Sequence, residues 1–475
     1  MPLRLLDAWP HLIAAGFTLC LAVGAAGHAI IYKRDVRAAL GWVGLILMVP
    51  LVGSLFYVLF GINRIRRKAV SLRRATRFTR KTEPDVFATV DSLYPDFSGY
   101  TRLADQVTRQ QLVSGNQVEV LEDMGALFED MGRTMDGAQT SIVLSTYIFD
   151  RGVVAERLVA ALTRARQRGV SVRVLIDSVG VRYSFPSIMR ALKKAKIPVA
   201  LFGRHFLPWH WHYFNLRNHR KLLVVDDEVG FSGGANIRDS YLWQGDRDGA
   251  TRDLHFKLRG PVVHHLSQCF EEDWAHVSKS APQTNEVTAW REGGTLARGI
   301  SDGPDEDFEQ LKWILLGAIA AAKTRIRIAS PYFLPDAALI SQLNLAALRG
   351  VDVEVLLPGR NNLLLVKWAS RHQLWQILKQ GCKVFFGPPP FDHSKLMLVD
   401  ESWCLFGSAN WDARSLRLNF EFNVECLDRD LCQKLHEWFD HRLAQADKCT
   451  LEQLDARPLP IRLRDGTARL LLPYL

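Results

Sequence analysis

Two long apolar stretches without a charged residue open the chain. Residues 8–32 and 38–63 contain no Asp, Glu, Lys or Arg, and residues 33–37 connect them. A helix of about 20 apolar residues is long enough to cross the hydrocarbon core of a bilayer. The pattern therefore predicts a transmembrane helical hairpin over residues 1–63.

Beyond residue 100 the pattern changes to short apolar runs that alternate with amphipathic segments. Residues 141–150, 153–168 and 168–180 have the patterns of a strand, a helix and a strand. Such alternation indicates a mainly parallel sheet with helices on both faces. The predicted fold class is α/β.

The same order of segments occurs twice. RGVSVRVLIDSVG at 168–180 resembles RGVDVEVLLPGRN at 349–361, and Tyr147 in the preceding run corresponds to Tyr332. Repetition on this scale indicates a duplicated domain. We expect two mixed or parallel sheets flanked by helices and related by a pseudo-twofold axis. The expected boundaries are a basic linker at 64–100 and halves at 101–285 and 286–475.

The net charge of +10 is concentrated after the second apolar stretch. Nine Lys or Arg residues and no Asp or Glu lie between residues 64 and 81, which we call the basic cluster. Basic residues beside a span favour the cytoplasmic side, and this cluster outnumbers Lys33, Arg34 and Arg37 in the connector. We therefore expect a cytoplasmic catalytic region and attraction of the cluster to anionic lipid.

Two other interpretations of this region are weaker. A cleaved signal peptide needs a basic start, but only Arg4 precedes the first apolar stretch and a second stretch follows at once. Nucleic-acid binding by the basic cluster is less favoured because the cluster directly follows an apolar stretch.

The seven cysteines show no CxxC and no Cys/His ligand spacing, so neither a disulfide scaffold nor a zinc site is expected.

One motif with candidate chemistry is present in both halves. NHRKLLVVDD at 218–227 and DHSKLMLVD at 392–400 share a His, a Lys two residues later and an Asp five residues after that. The same offset of 174 residues maps GGAN at 233–236 onto GSAN at 407–410. The candidate catalytic residues are His219, Lys221, Asp226, His393, Lys395 and Asp400.

Two such motifs that face each other would make one pocket rich in positive charge and donors. This environment suits a phosphate group that gains charge as a bond to phosphorus is exchanged. Lys221 and Lys395, with Asn236 and Asn410, are the candidate phosphate ligands. Of two facing histidines, one can attack phosphorus while the other protonates the leaving oxygen.

A nucleophilic imidazole needs a carboxylate on its other ring nitrogen to hold its tautomer and orientation. Asp253 and Glu421 occupy matching positions in RDLHFKL and NFEFNVE and are the candidate orienting residues, although a surface salt bridge is the alternative. Asp226 and Asp400 lie on the strand face opposite His and Lys, so we expect them to brace the following turn. No acidic cluster has Mg or Ca spacing, and the lysines are expected to replace a metal.

The duplicated HxKxxxxD motif followed by GGxN or GSxN resembles the phospholipase D superfamily over about residues 100–475. Together with GWVGLILMVPLVGSLFYVLFGINRIRRKA at 41–69, GSANWDARSLRLNFEFN and the terminal LLLPYL, it resembles the bacterial cardiolipin synthase family over the whole chain. One departure is Thr251, where some relatives have Trp, which affects the expected shape of the acceptor side.

The resemblance implies transfer of a phosphatidyl group from one phosphatidylglycerol to another, with release of glycerol. It implies a phosphohistidine on His219, with His393 as acid and base, no cofactor, and a multi-pass protein of the bacterial inner membrane. The open alternatives are hydrolysis to phosphatidic acid and, less favoured, cleavage of nucleic acid. We expect phosphatidylglycerol and anionic lipid as partners and no nucleic acid. Homo-oligomerisation stays open. Phe206, Trp209 and Trp211 are expected to dock the pocket on the bilayer; the alternative is that they form a packed aromatic lid.

Overall fold

The computed structural model describes residues 3–33, 35–61, 82–108, 110–203, 216–243, 249–281, 290–304 and 309–470. The chain divides into two compact units, Met1–Lys68 and Ala69–Leu475, which we call the N-terminal unit and the catalytic unit. The basic cluster and the predicted docking residues Phe206, Trp209 and Trp211 lie outside the described residues.

The N-terminal unit is helical. Of the described residues, one stretch, Ile13–Tyr32, is long and apolar enough to cross a membrane. Its helices are α1 (Leu3–Tyr32), α2 (Val36–Met48) and α3 (Pro50–Phe56), followed by a π-helical turn at Tyr57–Gly61.

The second apolar stretch, residues 38–63, is not one continuous helix, because the chain breaks between α2 and α3. Pro50 lacks an amide donor and forces the residue before it out of the helical region, and Val49 has φ −134° and ψ 77°. The 13 residues of α2 rise about 20 Å, which is short of the roughly 30 Å of a hydrocarbon core.

After this break the chain turns back toward the connector. A Cβ at Gly53 would lie 2.5 Å from the carbonyl oxygen of Leu45, so only glycine allows α3 to pack this closely on α2. Tyr57 then reaches Trp42, with ring centroids 5.4 Å apart, and its hydroxyl lies 2.7 Å from Nδ1 of His28. The chain therefore returns to the level of the residues that flank the connector.

The catalytic unit has an α/β fold, and the predicted duplication is confirmed. Its described strands fall into two sets with the same internal order. The first set is β1 (Val113–Leu121), β2 (Ser141–Thr146), β3 (Ser171–Asp177), β4 (Val199–Phe202), β5 (Arg217–Asn218), β6 (Leu222–Val225), β7 (Val229–Gly233), β8 (Thr251–Arg252) and β9 (His255–Arg259). The second set is β10 (Thr295–Asp302), β11 (Arg325–Ala329), β12 (Asp352–Pro358), β13 (Lys383–Gly387), β14 (Phe391–Asp392), β15 (Leu396–Val399), β16 (Trp403–Gly407), β17 (Asn419–Leu427) and β18 (Asp447–Cys449).

The two sets join into one continuous sheet across the antiparallel pair β1 and β10. The order is β18-β13-β12-β11-β15-β16-β17-β10-β1-β9-β7-β6-β2-β3-β4. Outward from the β1–β10 pair, equivalent strands of the two sets follow in the same order, as the expected pseudo-twofold relation requires. The one difference is β18, which adds a strand at one edge. The parallel pairing predicted from the alternating pattern is found in β2-β3-β4 and β11-β12-β13, whereas the strands after each motif pair antiparallel.

Helices cover the sheet of the catalytic unit. They are α4 (Pro84–Leu93), α5 (Ser98–Val107), α6 (Met124–Gly137), α7 (Val153–Gln167), α8 (Met189–Lys194), α9 (Val262–Ser278), α10 (Gln310–Ala321), α11 (Ala337–Leu348), α12 (Leu364–Gln373), α13 (Trp375–Leu378), α14 (Arg429–Leu443), α15 (Leu451–Asp455) and α16 (Leu459–Leu470). The short 3-10 turns are Pro95–Phe97, Gly180–Tyr183 and Asp239–Tyr241.

Two apolar cores correspond to a first lobe, residues 110–281, and a second lobe, residues 290–470. The helices α4 and α5 pack into the second core, although they precede the first lobe in the chain. The hydroxyl of Tyr100 hydrogen bonds to Glu425, and Arg298 lies 2.8 Å from Asp105. The described part of the expected linker is therefore folded onto the second lobe.

Candidate active site

Each motif histidine is fixed to the opposite lobe by backbone pairing. The strand β5, which leads into His219, pairs in parallel with β17 of the second lobe, and the amide of His219 donates to the carbonyl of Phe420 at 2.9 Å. In the same way β14 pairs with β8, and the amide of His393 donates to the carbonyl of Arg252 at 2.8 Å. The short strand that leads into each motif histidine therefore pairs with a strand of the other lobe.

Both histidines line one cavity of about 1010 Å³. Asn236 and Asn410 line it as well, and so do the paired residues Tyr147 and Tyr332. The structure therefore brings the two motifs to a single site, as the duplication suggested.

The first histidine is held by the carboxylate of Glu421. Nδ1 of His219 lies 3.0 Å from both carboxylate oxygens. Since an ionised carboxylate only accepts hydrogen bonds, this contact assigns the ring proton to Nδ1 and leaves Nε2 with a free lone pair. Glu421 also accepts from the hydroxyl of Ser408 at 2.5 Å and from the side-chain amide of Asn419 at 3.0 Å.

Asp253 of the first lobe contacts the second histidine in the corresponding way. It accepts fewer hydrogen bonds from other side chains than Glu421 does. Nδ1 of His393 lies 2.8 Å from Oδ2 of Asp253. Asp253 accepts from the amide of Leu254 at 2.9 Å and, at 3.4 Å, from the hydroxyl of Tyr241. No hydroxyl corresponding to Ser408 reaches it, because the matching residue is Gly234, where a Cβ would lie 2.2 Å from Asp253.

The two carboxylates differ in their affinity for a proton. Burial raises the pKa of Asp253 to about 8, although Lys395 opposes the shift. Burial would also raise the pKa of Glu421, but His219 and Lys221 and the bond from Ser408 hold it below its usual value. Asp253 thus binds a proton more readily than Glu421 does.

Both histidines are neutral in the buried site. Burial lowers the pKa of His219 to about 4, although Glu421 opposes the shift. Burial and the nearby Lys395 and Lys221 keep the pKa of His393 well below its usual range. The directions of these shifts favour a proton on the Asp253–His393 pair over one on the Glu421–His219 pair.

The motif lysines lie behind the histidines and are not among the residues that line the cavity. Nζ of Lys221 donates to the carbonyl of His219 at 2.7 Å, and Lys395 makes the same bond to His393. Each ammonium keeps two further donors. Burial lowers the pKa of Lys221 to about 7 and that of Lys395 to about 8.

The candidate asparagines are held at the cavity wall by different contacts. Oδ1 of Asn236 accepts from the amide of Ile148 at 3.2 Å, and the side chain of Asn236 also hydrogen bonds to Tyr241. Nδ2 of Asn410 donates to the hydroxyl of Ser415 at 3.2 Å.

The motif aspartates, Asp226 and Asp400, do not line the cavity and instead hold backbone amides. Asp226 accepts backbone bonds of 2.7–2.9 Å from residues 139–141 at the start of β2. Asp400 holds residues 323–325 at the start of β11 in the same way, at 2.8–3.2 Å. Both have positive φ, which Asp tolerates better than most residues. They lie at the strand ends opposite the histidines.

Several pocket residues were not identified from the sequence. The rings of Tyr147 and His219 have centroids 5.1 Å apart, and those of Tyr332 and His393 are 6.3 Å apart. Their repeated positions were a signal for these two tyrosines. Four arginines also line the cavity without any repeated signal: Arg217, Arg238, Arg360 and Arg414.

The sequence matches known families over most of its length. The family described as "Cardiolipin synthase, PLD-like domain" matches residues 131–274 and 315–443. The family described as "Phospholipase_D-nuclease N-terminal" matches residues 20–61.

Named relatives extend these matches to nearly the whole chain. The major cardiolipin synthase ClsA of Bacillus subtilis is 32% identical, over 93% of this chain and 95% of its own. Cardiolipin synthase A of Pseudomonas putida is 30% identical over 97% of both chains. The solved phosphatidylserine synthase of Haemophilus influenzae is similar in fold, with a TM-score of 0.62 and 14% identity over 79% of this chain and all of its own.

The crossed histidine–carboxylate pairs and the two lobes are thus found in a chain that matches these two cardiolipin synthases over 93% and 97% of its length. The chain belongs to the cardiolipin synthase family of phospholipase D-like proteins.

Proposed function

We propose that this protein is a cardiolipin synthase that transfers a phosphatidyl group from one phosphatidylglycerol to another and releases glycerol. The observation that carries the proposal is the pair of crossed contacts, His219 with Glu421 and His393 with Asp253, on one cavity. The match to cardiolipin synthases over more than nine tenths of the chain supports the choice of substrate.

In the first step Nε2 of His219 attacks the phosphorus of the donor lipid. A phosphorus–nitrogen bond forms and the bond from phosphorus to the glycerol oxygen breaks. Nε2 of His393 gives its proton to that oxygen while Nδ1 takes the proton held by Asp253, so glycerol leaves neutral. The carboxylate of Glu421 balances the positive charge that the attack creates on the imidazole of His219.

In the second step the roles of His393 reverse. Its Nε2 takes a proton from the terminal hydroxyl of the second phosphatidylglycerol, and Asp253 regains its own proton from Nδ1. The freed oxygen attacks phosphorus, the phosphorus–nitrogen bond breaks, and cardiolipin leaves with His219 restored. One phosphodiester replaces another, so the reaction needs no nucleotide.

The assignment of His219 as the nucleophile is supported by the unequal carboxylates. Ser408 and Asn419 both donate to Glu421, whereas Gly234 brings no donor to Asp253. A nucleophile must be unprotonated at Nε2, and an acid must have a proton to give. The Glu421–His219 pair meets the first need and the Asp253–His393 pair meets the second.

The remaining candidate residues stabilise the charge on the phosphoryl oxygens in this proposal. Lys221 and Lys395 supply positive charge from beneath the site, and Asn236 and Asn410 supply amides at its wall. A cavity of about 1010 Å³ is at the upper end of the range for ligand pockets, which suits the headgroups of a donor and an acceptor together.

The membrane arrangement is part of the proposal. The N-terminal unit anchors the protein, and the catalytic unit faces the cytoplasm because the basic cluster follows the anchor directly. If α1 alone crosses the bilayer and α2–α3 fold back, the connector and the catalytic unit lie on the same side, and both basic segments are cytoplasmic. The division into halves at 101–285 and 286–475 also remains a proposal.

The experiment that tests the function gives the purified full chain phosphatidylglycerol labelled in its headgroup, without nucleotide. Free glycerol together with cardiolipin is the expected result. Phosphatidic acid without cardiolipin would replace the proposal with hydrolysis. The control is His219→Ala, which should release neither product.

A further inference from the structure

Large apolar side chains are exposed on both sides of the cavity mouth. Tyr183 of the first lobe lines the cavity, and Phe185 two residues later is 99% exposed. On the second lobe Leu363 lines the cavity, and Leu364 and Leu365 are exposed beside it at the start of α12. Adjacent exposed apolar residues at the rim of a polar cavity mark an interaction site.

The helix α16 extends this apolar surface away from the mouth. It packs along α12, where Ala468 joins a buried cluster with Val366 and Ala369. Its opposite face presents Leu459, Leu463 and Leu470 to solvent. Their spacing of four and then seven residues places them in one stripe along the helix.

The surface around these leucines is strongly basic. Residues 360–372 contain three Lys or Arg and no Asp or Glu, and α16 contains three Arg against one Asp, which is buried. Burial lowers the pKa of Lys367, and three neighbouring arginines lower it further. These are Arg360, Arg371 and Arg464. Arg464 is paired with Asp465 at 2.7 Å, but the other cations still raise the positive potential of this surface, which favours an anionic partner.

We propose that α12, α16 and the Phe185 loop form a bilayer-docking surface that seats the mouth of the catalytic cavity in the headgroup layer of an anionic membrane. An apolar stripe flanked by arginines is the arrangement of helices that lie in a bilayer interface. The surface continues into the cavity wall through Tyr183 and Leu363, so a lipid headgroup passes from bilayer to site without crossing water. The choice of a lipid bilayer as partner rests on the proposed function.

A depth measurement on the full chain in phosphatidylglycerol-containing vesicles tests this docking. An environment-sensitive fluorophore is placed by Leu463→Cys, with Cys20→Ser removing the exposed native cysteine; the other native cysteines are buried. The matched control is Leu348→Cys, since Leu348 is 67% exposed and Leu463 62%. Leu348 precedes the start of β12, whereas the cavity lies beyond its end at Pro358.

Lipids that carry a quencher on the acyl chain should reduce emission at Leu463 and leave emission at Leu348 unchanged. The quenching should weaken in purely zwitterionic vesicles and at high salt. Equal emission at the two positions would overturn the proposal. A change at Leu463 that needs no vesicles and grows with protein concentration would also overturn it, in favour of a second copy of the chain.

A kinetic measurement separates docking from chemistry. Leu459→Ser combined with Leu463→Ser should raise KM for lipid in vesicles and leave turnover of a monomeric short-chain lipid unchanged. Leu348→Ser should change neither, and an unaltered KM in the double variant would count against the docking surface. If no lipid is turned over by any variant, the proposed function fails, while the quenching measurement still decides the docking.

Discussion

Nδ1 of His219 in the first lobe lies 3.0 Å from the carboxylate of Glu421 in the second lobe. The reverse contact joins His393 of the second lobe to Asp253 of the first at 2.8 Å. Each lobe therefore supplies the histidine of one pair and the carboxylate of the other. Neither lobe contains a complete pair, which explains why the site needs both copies of the fold.

The first prediction concerns the covalent intermediate. In a His393→Ala protein the second step lacks its base, so a phosphatidyl adduct should accumulate on His219. Mass spectrometry of the acid-quenched protein after exposure to labelled phosphatidylglycerol locates the adduct. An adduct on the histidine at 393 in a His219→Ala protein would reverse the assignment of roles.

The second prediction concerns the crossed carboxylate. Glu421→Gln keeps the shape of the side chain but removes the charge that fixes the tautomer of His219. We expect kcat to fall roughly 100- to 10,000-fold, by analogy with loss of the orienting carboxylate in a hydrolase triad. The unfolding temperature serves as the control, because a loss of kcat that merely follows unfolding would leave the orienting role without support.

The third prediction concerns Ser408. Ser408→Ala removes a donor from Glu421 and should raise the pKa of that carboxyl, because the bond from Ser408 favours its ionised form. The acid limb of the kcat profile should therefore move to higher pH. Ser341→Ala is a matched control, since the hydroxyl of Ser341 bonds only within an exposed helix. An unmoved acid limb would remove Ser408 from the explanation of the asymmetry.

The fourth prediction concerns the alkaline limb. The proton on the Asp253–His393 pair is present below the pKa of Asp253, about 8, and is lost as pH rises through it. Lys221 and Lys395, with pKa values of about 7 and 8, lose positive charge in the same range. Activity should thus decline above about pH 7–8 and not rise. A kcat that keeps increasing into the alkaline range would contradict the assignment of the acid.

The fifth prediction concerns the membrane topology. Tyr57 lies against His28 and Trp42 within the N-terminal unit, and on this ground we propose that α1 alone crosses the bilayer and that the connector is cytoplasmic. A cysteine introduced by Asp35→Cys in a Cys20→Ser background should resist a membrane-impermeant maleimide in intact cells and react after lysis. Labelling in intact cells would instead support two complete crossings.

The sequence alone determined the duplication, the residues of the two motifs and the matched carboxylates. These follow from repetition at a fixed offset, as with His219 and His393, and from strand alternation, which placed Asp226 and Asp400 on the face opposite the histidines. The motif residues and the strand faces on which they lie can be identified from the sequence, because both depend on the spacing of residues along a single strand.

Tertiary structure alone decided which partners meet. His219 and His393 each contact the opposite lobe because β5 pairs with β17 and β14 pairs with β8. These paired segments are about 140 to 200 residues apart in the chain. The difference between Gly234 and Ser408 is visible in the sequence, but its effect on Asp253 and Glu421 depends on distances across the sheet. The sequence did not predict the break at Pro50. A long uncharged stretch shows only that a segment is apolar, whereas the direction of the chain after a proline is set by packing.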